Sequence, residues 1–323
     1  MKTIFESIII ILISLHSATA QSIASLLGNY QVSSKKEMSI TSNPQISGGA
    51  FDPNTGTLLV IDNGNCNVYE VKITGELLHT ITLSSFEDVE GIAYQSDRKF
   101  IVAEEKRGNV VQITIPQSRS GSIDWNDCEK LNIGTNWNNT GLEDLTCLAS
   151  KCVGYGVKEK SPAAIFRITF DSNGKPFESH EMTSFNWGGI SGDAAGVYVL
   201  DDGNLLLLSE EANILYGVDT AGKVLSQIQL EMNQPEGVTF NKSDSTIYVV
   251  GEPRELVALK LKPGSVDIKN KNPVQLNYLH VNRKKNGALV TPLGKCIRQS
   301  EYGRTLFSKP DCLRIQHGQV LFR

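Results

Sequence analysis

The chain has 323 residues, 40% of them apolar and 20% charged, which is enough to build one large domain or two modest ones around a buried core. The formal net charge of -4 is unevenly spread, because Pro263–Arg323 holds eleven Lys and Arg against three Asp and Glu, leaving everything before it strongly acidic. An acidic main body argues against nucleic acid or an anionic membrane surface as its partner.

In chain order, the first feature is Lys2 followed by an apolar run from Ile8 to Leu15 and the small-x-small pattern Ala18-Thr19-Ala20. It predicts a secretory signal over residues 1–20, cleaved after Ala20, since the run is too short to span a bilayer comfortably. No later segment approaches eighteen apolar residues. The mature chain is therefore expected to be soluble and monomeric, secreted or held in the cell envelope (the periplasm, in a bacterium).

From Ile46 onward the sequence repeats itself every forty to fifty residues, roughly the period of one propeller blade. The copies run Ile46–Leu83, Val89–Ile115, Leu142–Phe170, Ile190–Leu230 and Pro235–Leu261. Each reads as a short strand opening on a small or acidic residue, a polar turn, a second apolar strand ending near Asp or Glu, and a third strand. Turn chemistry agrees, with Asp52-Pro53-Asn54-Thr55-Gly56, Asp201-Asp202-Gly203 and Thr220-Ala221-Gly222 at the reversals. Runs such as Thr57-Leu58-Leu59-Val60-Ile61 and Thr246-Ile247-Tyr248-Val249-Val250 are strand-like, and nothing from Ile46 to Leu261 has helical periodicity. The expected fold is all-β, a five-bladed β-propeller. Six blades is the alternative if Gln117–Asn139 is a degenerate repeat rather than a long connection. The domains are then the signal (1–20), the propeller (21–262) and a small basic C-terminal extension (263–323).

The phrases VEGIAY, LLLLSEEANILYGVDTAGKVL and QPEGVTFNKSDSTIYVVGEP, with the motif around Leu142-Glu143, resemble the SdiA-regulated family of exported bacterial proteins, distant relatives of NHL-repeat propellers. The resemblance spans Gln31–Lys262 and implies five blades and an associated calcium ion. Two departures stand out: Glu143-Asp144-Leu145 where the family usually has Glu-Gly, and a longer fourth copy at Ser191–Gly196.

In a blade of this kind the innermost strand starts, and the second strand ends, at the same mouth of the central channel. That placement gathers Glu90, Glu143 and Glu236, and less directly Asp193, around one opening. Asp62, Glu104 or Glu105, Glu159, Glu210 or Glu211, and Glu252 would stand beside them. Converging carboxylates repel unless protons, basic partners or a cation neutralise them. An all-oxygen set around a wide opening suits calcium better than magnesium, zinc or copper. The candidate metal ligands are Glu90, Glu143 and Glu236, with Glu105 and Glu159 as outer ligands or supports.

The expected function is that of a calcium-binding module or scaffold for an extracellular or envelope ligand such as a glycan, a peptide or a small molecule. The alternative is a calcium-dependent phosphate or ester hydrolase of the phytase or lactonase-like propeller type, for which Lys106, Arg107, Lys158, Lys160 and Arg254 supply cations beside the acids. The histidines His79, His180, His280 and His317 fall outside the acid motifs, so no general base is visible. Trp125, Trp137 and Trp187 lie in connections, as sugar-stacking surfaces or as lids. Six cysteines in an exported chain predict disulfides, paired as Cys147–Cys152, Cys296–Cys312 and, by elimination, Cys66–Cys128. The sequons at Asn138 and Asn241 are candidate glycosylation sites. Ring closure falls either to the tail or to the segment at Tyr30-Gln31-Val32.

Overall fold

The computed structural model describes residues 8–12, 22–134, 141–160, 162–265, 277–281, 289–290, 296–297, 313–316 and 319–322. The chain divides into two compact units, Thr19–Val266 on the one hand and Met1–Ala18 with Asp267–Arg323 on the other. In the smaller unit, Ile8–Leu12 pairs antiparallel with Asn277–Val281, and two short hairpins join Leu289–Val290 to Cys296–Ile297 and Leu313–Gln316 to Gln319–Phe322.

The larger unit is a five-bladed β-propeller. Blade 1 comprises Ile46–Asp52, Thr57–Asp62, Asn67–Lys72 and Leu77–Ser84; blade 3 comprises Leu142–Leu148, Val153–Lys158, Ala164–Phe170 and Pro176–Glu181; and blade 4 comprises Gly196–Val199, Leu205–Ser209, Ile214–Val218 and Val224–Gln229. Blade 2 has Val89–Ser96, Lys99–Glu104 and Asn109–Thr114, and takes its outer strand, Glu129–Asn132, from the long connection. The same connection lays Gly121–Asp124 parallel to the outer strand of blade 1. Gln117–Asn139 is thus not a sixth blade: its described part finishes two existing ones.

Blade 5 contains Gln234–Asn241, Thr246–Glu252 and Glu255–Leu261, and its outer strand is Tyr30–Glu37 from the N-terminal side of the repeats. Closure therefore belongs to the segment beginning at Tyr30, on the last blade rather than the first. The Tyr30 hydroxyl, which donates to the Ser245 carbonyl at 3.1 Å, and Arg254, which pairs with Glu37, fasten it.

One apolar cluster fills each interface between neighbouring blades. Second strands explain how one short run serves two interfaces. Along Thr57–Asp62, Leu58 and Val60 face blade 5 while Leu59 and Ile61 face blade 2, all of them fully buried. Such strands read as unbroken apolar runs because both faces are covered, and full burial of each side chain is worth about 1.5–3 kcal/mol.

The four described cysteines with assigned side chains, Cys66, Cys128, Cys147 and Cys152, are free thiols, which corrects two of the expected pairings. Cys147 lies opposite Gly154 on an inner strand and lines the channel, whereas Cys152 is exposed in the turn beyond it. Cys66 Sγ instead contacts the carbonyls of Asn63 and Phe86, at 3.8 and 3.7 Å, and Cys128 Sγ that of Asp124 at 3.3 Å. Cys312, Trp137, His317 and Asn138 lie outside the described residues. Asn241 is buried with its Oδ1 capping the turn at Ser243, a poor position for a glycan.

Candidate metal centre

The geometry of the acids follows from one recurring irregularity. In blades 1, 2, 3 and 5 the pairing of the inner and second strands slips near its start, between Ile46 and Gly48, Val89 and Ile92, Leu142 and Asp144, and Pro235 and Gly237. A β-bulge of this kind carries an extra residue and re-aims its side chain. The residues so placed are Ser47, Glu90, Glu143 and Glu236. In blade 4 the register Gly196 to Leu208 puts Ala195 in that position.

Asp193, placed in the ring by sequence spacing, does other work. Its carboxylate accepts from the Ser209 hydroxyl at 2.6 Å and from the Glu211 N–H at 3.1 Å, pinning the fourth blade's turn.

The next layer of the channel explains the Glu-Gly pairing. Gly48, Gly91, Gly196 and Gly237 each pack on the inner strand of the following blade so closely that a Cβ would lie 2.6 Å from the Glu90 carbonyl, 2.5 Å from Asp144 Oδ1, 3.0 Å from the Glu236 carbonyl and 2.7 Å from the Gly49 nitrogen, respectively. These contacts draw the inner strands together and the bulge acids with them. In blade 3 this layer holds Asp144 instead. Its Oδ2 accepts from the Val197 N–H of blade 4 at 2.9 Å, while Oδ1, against Gly91 of blade 2, has no hydrogen-bond partner among the described residues. Burial pushes this carboxyl well above its ordinary value, opposed by the Val197 and Leu145 N–H groups, so the layer disfavours a bare negative charge here.

Outside the bulge residues stands a second tier, contributed by the residue after each second-strand register position: Asn63, Glu105, Glu159, Glu210 and Glu252. Asn63 Nδ2 donates to Glu90 Oε1 at 2.6 Å, and the Gly141 N–H donates to Glu105 Oε1 at 2.7 Å. Asp88, which precedes its strand and stands outside the repeat pattern, joins here. One oxygen each from Asp88, Glu90 and Glu105 lie within 4.8 Å of one another.

Glu104 and Asp62, one residue earlier, turn away from the mouth. Glu104 is enclosed by Arg107, Asn109, the Trp125 indole N–H and the Glu87 N–H, and Asp62 by the Gln45 N–H, Asn65 and the Tyr69 hydroxyl. Trp125 itself is covered by Arg107 and Lys130, 4.6 and 4.0 Å from its ring, and so serves as a packing element, not an open sugar platform.

Electrostatics show how closely the groups converge. Burial pushes the Glu90 carboxyl up to about 8 despite a hydrogen bond from Ser47, and Glu105, Asp88 and Glu252 push it in the same direction. Glu143 is raised to about 10, first by burial and then by Glu90, Glu105, Glu159 and Glu236. Glu236 is raised to about 8 by burial and by Glu210, Glu252, Glu90 and Glu159. Glu105 and Glu252 are raised as well, with burial the leading cause in both. Each bulge acid therefore feels acids from other blades.

Among the described residues no lysine or arginine forms an ion pair with Glu90, Glu105, Glu143 or Glu236. Glu159 differs, since Lys160 lies 2.5 Å from it and also approaches Glu211 at 3.5 Å. The ammonium of Lys158, near the ring, is spent on the carbonyls of Lys160 and Pro162.

The SdiA-regulated family matches residues 22–260, which include every blade and the closing strand. The chain belongs to the SdiA-regulated family. Solved structures similar to this member include a calcium-binding protein, regucalcin, from Agrobacterium tumefaciens str. C58 (15% identity, 70% of this chain and 91% of that one, TM-score 0.45). A glutaminyl cyclase from Myxococcus xanthus (10% identity, 72% and 96%, TM-score 0.49) and a luciferin-regenerating enzyme (12% identity, 70% and 94%, TM-score 0.45) are also similar. At these identities the likenesses bear on neither ligand nor activity.

Proposed function

We propose that this SdiA-regulated propeller is an exported binding or scaffold module whose acidic channel mouth holds a calcium ion. The observation that carries the reading is the approach of one oxygen each from Asp88, Glu90 and Glu105 to within 4.8 Å of one another, with Glu143 and Glu236 on the bulges of two further blades acting electrostatically on the same mouth and, among the described residues, no basic side chain ion-paired to Glu90, Glu143 or Glu236. Burial and mutual repulsion leave these groups protonated near neutrality unless a cation replaces the protons. Glu105 and Asp88 would add oxygens beside Glu90, and Asn63, which donates to Glu90, stands next to them. Six to eight hard oxygens around an open mouth match calcium. When bound, the ion would supply charge neutralisation and a Lewis-acidic anchor for an oxygen ligand. Export rests on the N-terminal apolar run and the small-x-small pattern.

The hydrolase alternative needs a cation free to meet a phosphate or an ester oxyanion, and Lys158, the buried lysine beside the ring, is committed to backbone carbonyls. The test is thermal unfolding of the purified chain in calcium and in chelator, with generic phosphatase and lactonase substrates assayed in parallel. Calcium-dependent stabilisation without turnover is expected. Turnover abolished by Glu90→Gln would transfer the site to the hydrolase class, and unfolding indifferent to chelation would overturn both readings.

A further inference from the structure

On the other side of the glycine layer the channel widens into a cavity of about 680 Å³, opening on the face opposite the acids. Its volume falls in the range of small-molecule sites. Its lining differs in kind from the acidic mouth. Aromatic rings come from four of the five blades, as Phe51, Tyr94, Tyr198 and Phe240, and the remaining blade offers the thiol of Cys147.

These rings are braced rather than loose. Phe51 stacks on Tyr248 at 6.0 Å, Tyr94 meets Phe100 edge-on at 5.4 Å, and Tyr198 meets Phe240 at 6.1 Å. Such pairs fix a wall in one orientation and lower the entropy lost when a ligand settles against it.

Among the described residues no carboxylate lines the cavity, and the one lysine that does, Lys242, is paired with Asp201. Cys147 and Tyr198 are uncharged near neutrality, because burial raises the thiol to about 12 and pushes the phenol up as well. A charged ligand would enter without a counter-charge and lose its hydration for nothing. The Tyr94 hydroxyl oxygen accepts from Asn54 Nδ2 at 3.1 Å, which leaves its hydrogen to give, and the Tyr198 hydroxyl has no partner among the described residues. The acceptors of the same wall are engaged, Thr146 Oγ1 by the Val199 N–H at 3.0 Å, Thr239 Oγ1 by the Phe51 N–H at 3.0 Å and Gln95 Oε1 by Gln112 Nε2 at 2.6 Å, so the Tyr198 hydroxyl is the group left to meet a ligand acceptor.

We propose that this cavity is a second binding site, for a neutral, ring-containing molecule bearing a carbonyl or ether oxygen that accepts from Tyr198. The site is independent of the cation reading, since the Gly48, Gly91, Asp144, Gly196 and Gly237 layer stands between the two.

The probe for the test is 6-propionyl-2-(dimethylamino)naphthalene, an uncharged fluorescent naphthyl ketone, titrated with the full mature chain. Saturable one-to-one binding with a blue-shifted emission is expected, unchanged by chelator. Cys147→Trp, which fills the lumen, should weaken it at least about ten-fold, and Tyr198→Phe, which removes only the donor, about five-fold, a change of the size one net hydrogen bond gives. If Cys147→Trp fails to fold by circular dichroism, Ala93→Phe in the same wall replaces it. Absence of saturable binding to the wild-type chain, or binding that all these variants leave unaltered, overturns the proposal.

Discussion

Glu90→Gln separates two opposite roles of one side chain. Glutamine keeps the shape and can still accept from Asn63 Nδ2, so the substitution removes charge and little else. In the cation-free protein Glu90 is 7% exposed and titrates at about 8 against an ordinary 4.5. At pH 7 the unfolded chain has released this proton and the folded chain has not, a gap of about two and a half pH units, and at about 1.4 kcal/mol per unit the charge-free variant should gain about 3.5 kcal/mol as an upper bound. For a domain of this size that is a rise of several degrees in Tm. The assay is urea unfolding at pH 7 in chelator and in millimolar calcium. The expected order reverses between them: Glu90→Gln is the more stable in chelator and the less stabilised by calcium. A variant less stable than wild type in chelator would refute the reasoning, because it would mean that Glu90 stabilises the fold as a lone carboxylate.

Because the folded values of Glu90, Glu143 and Glu236 are raised, the folded chain retains protons that the unfolded one loses. Stability in chelator should accordingly be greatest below the ordinary value of 4.5, fall as pH rises from there, and level off only once the folded values, about 8 for Glu90 and Glu236 and about 10 for Glu143, are passed, and saturating calcium should flatten that fall in a pH series of melts. Gly91→Ala places a Cβ 2.5–2.6 Å from Asp144; it should cost about 1–3 kcal/mol in urea unfolding and weaken calcium binding by splaying blades 2 and 3. Glu159→Gln should change calcium affinity less than Glu236→Gln, since Lys160 already offsets Glu159, as calorimetric titration of the two variants would show. Arg119→Met strands Asp52 and Glu70, which are 0% and 2% exposed and lie 2.9 and 2.5 Å from its guanidinium; unfolding at pH 7 should show a loss of about 3–5 kcal/mol.

Much of this fold is written in the repeats, because each blade needs second strands buried on both faces, and runs such as Leu58 to Ile61 can hardly be anything else. The placing of Glu90, Glu143 and Glu236 on inner-strand bulges is legible for a related reason: an acid followed by glycine, or by Asp144 in blade 3, recurs where bulge and close packing are both required. The rest depended on register. One residue decides whether a carboxylate faces the mouth or the blade interface, so Glu104 and Glu105 could not be told apart before the turn was seen, and Asp193 looked equivalent to a position that Ala195 fills. Asp88 precedes its strand in the left-handed region, at φ 59°, and leaves no periodic mark. The outer strand Glu129–Asn132 is hidden because it sits far along the chain from the rest of blade 2. Disulfides were inferred from compartment and parity, neither of which fixes the direction of a Cβ.

The most direct measurement is isothermal titration of calcium into the full chain at pH 7, repeated in buffers of different ionisation enthalpy. Saturable binding accompanied by net proton release is expected, because carboxyls held protonated by their surroundings must give up protons to take the ion, and both signals should vanish together in the Glu90→Gln, Glu143→Gln, Glu236→Gln triple variant. Calcium that does not bind at millimolar concentration, or that binds the triple variant as it binds the wild type, would contradict the account.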